Sequence, residues 1–445
     1  MTMLYKNQVM QVLDGMIAGF NVPEGELVLM EEELNLTRFA ESVIHQNMSR
    51  YDRTMMVRAI DGKKVGVAVT NQLDTDGILK AIRVAEEIAL SQKPDPNFPG
   101  IENYPAVEGP EGGFQSSVAT QSPSKRAEAA KECAKVAAKE KFQATGAYQT
   151  NVLTTAVANT RGTRQYFAET TAWLTLTVSG NDGISGWAQS YSRNAKDIDA
   201  KKIAEAAVSK AVLSAHKTKL PPGEYTVILE PAAVADLLLF LAFLGFGAKT
   251  LVSRRSFMAG RIGEKITGEN ITIVEDPFNP RISYMPFDYE GVPKKVVPLI
   301  ENGIAKGVVS NRYYAAQLDS ESTGHALPPN NTYGPYPKAM VMKGGTSTIE
   351  EMIASTERGI LITHWWYVNF LNPMNTEVTG TTQDGTLLIE NGKIVSGVED
   401  LRMGQSILEA LSNVEALSRD LTLCPKYGAL MLIPALKINK FKFVG

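Results

Sequence analysis

The sequence predicts an α+β fold, with a mixed N-terminal α/β domain carrying amphipathic helices and a strand-rich C-terminal domain. Three observations carry that reading. The first half alternates stretches of helical period with stretches of strand period. Beyond Gly359 the chain reads as a β-meander, barrel-like in its run of short strands, ending in the Asn391-Gly392 pair that two-residue hairpin turns favour. Between them lies "PAAVADLLLFLAFLGFGA", in which no polar side chain occurs from Leu237 to Gly247. At 445 residues the chain is longer than one core usually supports, so more than one domain is expected.

Taken in order, Asn7–Gly19 has the spacing of an amphipathic helix. "GELVLMEEEL" and "RTMMVRAIDGKKVGVAVTN" read as strands, the second folded into a hairpin at Asp61-Gly62. "DTDGILKAIRVAEEIAL" predicts a helix capped by Thr75 or Asp76, with Ile78, Ile82, Ala85 and Ala89 on one face. Residues 1–93 are the opening α+β segment of the first domain, and the proline-crowded stretch 94–123 is a connection too rich in fixed φ angles for regular structure. Residues 124–217 complete the domain: the Ala-rich helix "SKRAEAAKECAKVAAKEK" places Cys133 beside Ala129, Ala130 and Val136 as a small buried thiol, and two long strands follow. The next helix ends near His216, where a histidine suits the helix dipole.

Pro221-Pro222-Gly223 opens the C-terminal domain, 218–445. Its apolar run is too short for the roughly 20 residues of a membrane span and is flanked by Asp236 on one side and Lys249, Arg254 and Arg255 on the other. It reads as a core helix, because Leu237 to Leu241 step around the whole circumference. The meander then predicts strands "GILITHWWYVNFL", "TEVTG", "TLLIE" and "KIVSGV", with turns at "NPMN", "QDG" and "NG". "LIENG" occurs twice, at Leu299–Gly303 and Leu388–Gly392, as reused turn chemistry.

Lys plus Arg number 45 against 48 Asp plus Glu, a net charge of −3, and no dense basic run occurs. That composition argues against a nucleic-acid surface, and no secretory or membrane signal is legible, so a cytoplasmic protein is expected. Cys133 and Cys424 are too few for a disulfide framework.

A helical zinc site needs two histidines about one turn apart. His45, His216, His325 and His364 are all far more widely spaced. A dispersed constellation of Cys424 with His325 and His364 is the remaining candidate for nucleophilic or metal chemistry. Gly344-Gly345-Thr346 precedes a predicted helix and reads as an ordinary N-cap rather than a phosphate loop. In "THWWYVNF", strand alternation sends Trp365 and Tyr367 to one face and Trp366 to the other, so one face is core and the other a candidate peptide or subunit surface.

"SFMAGRIGEKIT", "VEDPFNP", "PFDYEGVPKKVVPLIENGIAKGVVSNRYYAAQLDSESTGHA" and "GALMLIPALKINKFKF", in that order, resemble the TldD/PmbA family, also called modulators of DNA gyrase. "GKKVGVAVTNQLDTDGILKAIRVAEEIA" followed by "DPNFPG" resembles its N-terminal signature. The resemblance implies a cytoplasmic peptidase system built from a TldD-type and a TldE/PmbA-type subunit, in which the TldD type holds a metal on an H-E-x-x-x-H helix with a cysteine near the C-terminus. Here the matching helix is the apolar one, with Leu239, Phe240, Phe243 and Leu244 at the degenerate positions, while Cys424 stands where the cysteine is expected. The resemblance thus implies a TldE-type subunit that carries no cofactor itself, zinc belonging to a TldD-type partner in a heterodimer acting on unfolded peptides. Two alternatives stay open: an independent hydrolase using Cys424 with His325 or His364, and a non-enzymatic homodimeric peptide-binding protein.

Overall fold

The computed structural model describes residues 6–444. Six antiparallel strands form the first sheet: β1 Glu24–Ala40, β2 Val43–Asp61, β3 Lys64–Thr70, β4 Gln143–Asn159, β5 Arg164–Ser179 and β6 Ser185–Ser192, in the order β3-β2-β1-β4-β5-β6. Strands from both sides of the proline-rich connection therefore share one sheet, β1 pairing with β4 from Glu26↔Asn159 to Phe39↔Gly146. Alternation along β1 decides what each face meets. Leu27 and Leu29 pack on the helices Lys6–Ile17 and Thr75–Ser91, whereas Val28 on the opposite face packs with Ile282, Phe287 and Leu430 of the C-terminal half.

The hairpin at Asp61-Gly62 forms as the turn chemistry requires, with Asp61 opposite Lys64. The helix Thr75–Ser91 is capped one residue earlier than expected, by Asp74, whose Oδ1 accepts from Gly77 N at 2.8 Å. Strands β1 and β2 run far beyond their apolar stretches because the glutamates are paired: Glu31 with Arg53 at 2.6 Å and Glu26 with Arg58 at 2.6 Å, both carboxylates buried. The helix Ala200–Leu213 stops short of His216, whose carbonyl accepts from Gly397 N at 2.9 Å.

In the C-terminal half a larger sheet contains a closed ring. Arg358–Asn372, Gly223–Leu229, Leu436–Val444, Arg402–Ser406 and Glu377–Glu390 pair in succession, and the last closes the ring by pairing with Arg358–Asn372. Asn391 and Gly392 take φ of 49° and 75° and turn the chain into Lys393–Val398. "QDG" makes no turn: Asp384 and Gly385, with φ of 50° and 112°, form a bulge inside one continuous strand, and pairing resumes on either side at His364↔Gln383 and Ile362↔Thr386. The Asp-Gly composition that suggested a reversal only kinks the ladder.

A six-stranded sheet that includes Ile273–Glu275, Ala339–Met342, Ala429–Ile433 and Thr422–Lys426 lies on the other side of the apolar helix. That helix, Pro231–Gly245, is buried in the largest core between residues of both sheets, with Leu239 1% and Leu241 0% exposed. Burial is not complete all round, as the circumference of leucines suggested. Phe243 is 37% exposed and Phe240 only partly buried. Among the described residues no helix is long and apolar enough to cross a membrane.

Candidate functional site

The apolar helix places the expected metal positions on different surroundings. Leu239 and Leu244 are buried, while Phe240 packs edge-on against Phe370 at 4.6 Å and Phe243 lies 5.1 Å from the ring of Tyr336. Of the four positions that the resemblance assigned to the metal helix, Phe240 and Phe243 belong to an aromatic cluster with Phe370 and Tyr336.

Cys424, on the strand Thr422–Lys426, is fully buried, and burial pushes its thiol up to about 12. It shares a cleft with Pro231 and Ala232 of the helix's first turn. The candidate constellation is not assembled. His325 is buried elsewhere, its Nδ1 3.0 Å from Thr323 Oγ1 and its Nε2 3.3 Å from Glu275 Oε1, and burial followed by the charge of Lys294 lowers its proton affinity. His364 stacks on Trp187 at 4.5 Å and points Nε2 at Asp384, 3.5 Å away. Neither imidazole is hydrogen-bonded to the thiol. Gly344-Gly345-Thr346 leads into a helix closed by the reciprocal Thr348–Glu351 capping box, an ordinary N-cap.

In the aromatic stretch, simple alternation fails because Tyr367 takes φ of 55° and the ladder shifts between Trp366 and Asn369. Trp365 is core, stacked on Phe441 at 5.7 Å, so it leaves the candidate surface. Trp366 and Tyr367 are both exposed, at 60% and 69%, and Leu371 and Met374 at the same hairpin end are exposed too.

Sequence reasoning missed a cavity of about 800 Å³ between the first sheet and the C-terminal half. Its lining comes from widely separated segments: Met30 and Met56, Asn151 and Trp173, Tyr191, then Tyr284, Tyr289 and Lys338, and finally Lys426 to Leu430. Each lining arginine is paired, Arg53 with Glu31 at 2.6 Å and Arg193 with Glu169 at 2.7 Å, and Lys426 is paired with Asp236 at 2.7 Å. The Arg193 guanidinium also donates to the carbonyls of Ile282 and Ser283, at 2.9 and 3.0 Å, locking the cavity wall to the C-terminal half. In the buried cluster of Glu26, Arg58 and Glu290, burial pushes Glu26 up to about 7 against the pull of Arg58, and burial followed by the neighbouring Glu290 pushes Asp288 up to about 7. Burial and then Lys294 bring Lys338 down to about 8. Aromatic walls, amides and cations suit this space to holding a ligand.

The sequence profile of the PmbA/TldA metallopeptidase C-terminal domain matches residues 222–445. The chain belongs to the PmbA/TldD metallopeptidase family. Domain 1 of that family matches residues 25–89 and its central domain residues 117–215. The fold is that of TldE from Thermococcus kodakarensis, with a TM-score of 0.89 at 24% identity over 98% of this chain and 100% of that one. A metalloprotease TldD homolog of Haemophilus influenzae is 29% identical over 264 residues, 56% of this chain and 54% of the relative. A zinc metalloprotease TldD homolog of Saccharolobus solfataricus is 25% identical over 267 residues, 54% of this chain and 56% of the relative. The chain thus spans about half the length of these curated relatives.

Zinc, which the family name and the Saccharolobus relative bring into question, does not fit the residues present. Leu239, Phe240 and Leu244 offer no donor atom, and among the described residues no group of three or more His, Cys, Asp or Glu is placed to hold a metal.

Proposed function

We propose that this PmbA/TldD chain is a TldE-type subunit, catalytically silent alone, which pairs with a metal-bearing TldD-type partner in a cytoplasmic complex acting on unfolded peptides. The observation that carries the reading is the donor set of the Pro231–Gly245 helix: the positions matching the H-E-x-x-x-H pattern hold Leu239, Phe240 and Leu244. Hydrocarbon side chains can neither ligate a metal nor activate water, which supports placing hydrolysis on another chain. The class of partner proposed is that of the relatives named metalloprotease TldD homologs, and the contact proposed is the exposed Trp366–Tyr367 end of the hairpin, since large aromatics contribute much contact area at modest entropic cost. Two buried free cysteines suit a reducing compartment.

The test is to purify the chain alone and together with a TldD-type subunit from the same organism, and to measure metal content and peptide hydrolysis of each. Zinc and activity should arrive with the partner. Stoichiometric zinc and turnover in the lone chain would overturn the reading. A stable homodimer that binds peptide without turnover, indifferent to the partner, would favour the homodimeric alternative.

A further inference from the structure

The cavity beside the first sheet contains two polar groups whose natural partners are absent from the fold. Lys338 is the one lining cation among the described residues that has no ion-pair partner, and its Nζ makes no hydrogen bond. It lies 5.8 Å from the centre of the Tyr289 ring, a contact that leaves its donors free. Asn151 gives its amide N–H to Glu32 Oε1 at 2.9 Å, yet its Oδ1 is buried with no donor facing it. A buried acceptor without a donor is costly unless something supplies the missing half, and a half-buried ammonium without a carboxylate partner is open to an anion.

We infer that this cavity is a binding site for a carboxylate joined to an amide N–H on an apolar body, the chemistry of a peptide's free C-terminal end, with Lys338 pairing the carboxylate and Asn151 Oδ1 accepting the N–H. The remaining walls fit the apolar part of such a ligand: Met30, Met56, Trp173, Tyr191 and Tyr284 line the same space. At about 800 Å³ the volume falls within the range of roughly 300–1,000 Å³ of small-ligand sites. The groups facing Lys338 come from several elements: Lys294 opposes its charge, Glu169 of β5 and Glu275 of the six-stranded sheet favour it, and Tyr289 covers it. None of these is close enough to neutralise it, so the ammonium is left for a ligand.

That the carboxylate belongs to a peptide rests on the function proposed above; that an anion binds here rests on Lys338, and that an N–H accompanies it rests on Asn151 Oδ1. The same chemistry is offered by a small N-acyl amino acid, so the experiment carries both. Isothermal titration of the full chain, without any partner, compares N-acetyl-Ala-Ala-Phe as the free acid, the same peptide as its C-terminal amide, and N-acetylphenylalanine. The free acid should bind at least tenfold more tightly than the amide. Lys338→Met should abolish that preference, Lys338→Arg should restore it, and Asn151→Leu should weaken acid and amide alike. Preference for N-acetylphenylalanine over the tripeptide acid assigns the site to small metabolites and detaches it from the peptide reading while keeping the anion site. Equal binding of acid and amide, no binding of either acid at millimolar concentration, or an acid preference that survives in Lys338→Met overturns the inference. Because these readouts need no hydrolysis and no second subunit, their failure is distinct from a failure to find the metal-bearing partner.

Discussion

Lys426 Nζ lies 2.7 Å from Asp236 Oδ1, tying the edge strand of the six-stranded sheet to the first turns of the apolar helix. The second carboxylate oxygen, Oδ2, is buried and has no hydrogen-bond donor. Burial raises the Asp236 pKa, and Lys426 opposes that rise. Lys426→Met should therefore cost roughly 1–3 kcal/mol at neutral pH, the penalty for leaving a buried acceptor unmet. A carboxyl with a raised folded-state pKa holds its proton more tightly when folded, so it favours the fold at low pH and loses that contribution as pH rises through the folded value. The deficit of Lys426→Met should accordingly shrink on mild acidification, and Asp236→Asn combined with Lys426→Met should recover most of it. Urea denaturation at two pH values measures both; a deficit that grows on acidification would contradict the pairing.

The apolar helix has a buried side and a half-open one. Leu239→Ala should cost about 2–5 kcal/mol, as large-to-small changes in a packed core do, because its side chain is 1% exposed. Leu239→His and Leu244→His should lower the melting temperature by several degrees without conferring zinc affinity, since a buried imidazole lacks partners there. Phe243→His should be tolerated far better. Thermal melts with and without zinc decide this, and equal losses at all three positions would place Phe243 in the core after all.

Both thiols should be inert in the native chain. Burial pushes Cys133 and Cys424 up to about 12, so near neutral pH each is a protonated thiol and not the reactive thiolate. Iodoacetamide labelling followed by mass spectrometry should modify neither until denaturant is added. Rapid native labelling of Cys424 would revive the thiol-hydrolase alternative.

Carboxylate binding should depend on pH through Lys338. With its pKa brought down to about 8, the ammonium is present below that value and lost above it, so the acid-over-amide preference should fall as pH rises through the weakly alkaline range. Bound carboxylate stabilises the charged form and displaces the midpoint upward. A preference that instead increases with pH would point to a different group.

Tyr367 is held with a φ of 55° that non-glycine residues adopt at a cost. Tyr367→Gly should therefore leave the stability of the lone chain unchanged or raise it by about 1 kcal/mol, and Tyr367→Gly combined with Trp366→Ser should weaken capture of a TldD-type partner. Melting temperature and a pull-down separate the two effects. If the double variant melts normally and retains the partner fully, the subunit contact lies elsewhere.

Much of the fold was legible because local chemistry and global pairing agreed. The Asp61-Gly62 and Asn391-Gly392 turns, the helix faces around Ile82 and Ala85, and the burial of the leucine-rich helix all follow from period and turn chemistry. The reading failed where tertiary partners overrode the local signal. Glu26 and Glu31 look like surface residues until Arg58 and Arg53 are brought opposite them on the neighbouring strand. Asp384-Gly385 has the composition of a turn and the role of a bulge, because strands on both sides hold its ladder together. Tyr367 joins Trp366 on the exposed side, and not Trp365 in the core, because its left-handed backbone breaks the alternation. Lys338 gave no signal at all: its significance lies in having no carboxylate at ion-pairing distance, since Glu169 is committed to Arg193 and Tyr289 offers only its ring, which no spacing within "YPKAM" encodes.

The contacts between the first sheet and the C-terminal half also bear on how the chain is made. The face of β1, β2 and β4 that carries Val28, Met56 and Val157 is covered by Ile282, Phe287 and Leu430, and Arg58 must wait for Glu290. At about 5–20 residues per second, roughly 14–55 s of synthesis separates Val157 from Leu430. During that interval an apolar sheet face and a half-compensated arginine lack their cover, the kind of transient exposure that favours aggregation until residues 282–430 are made.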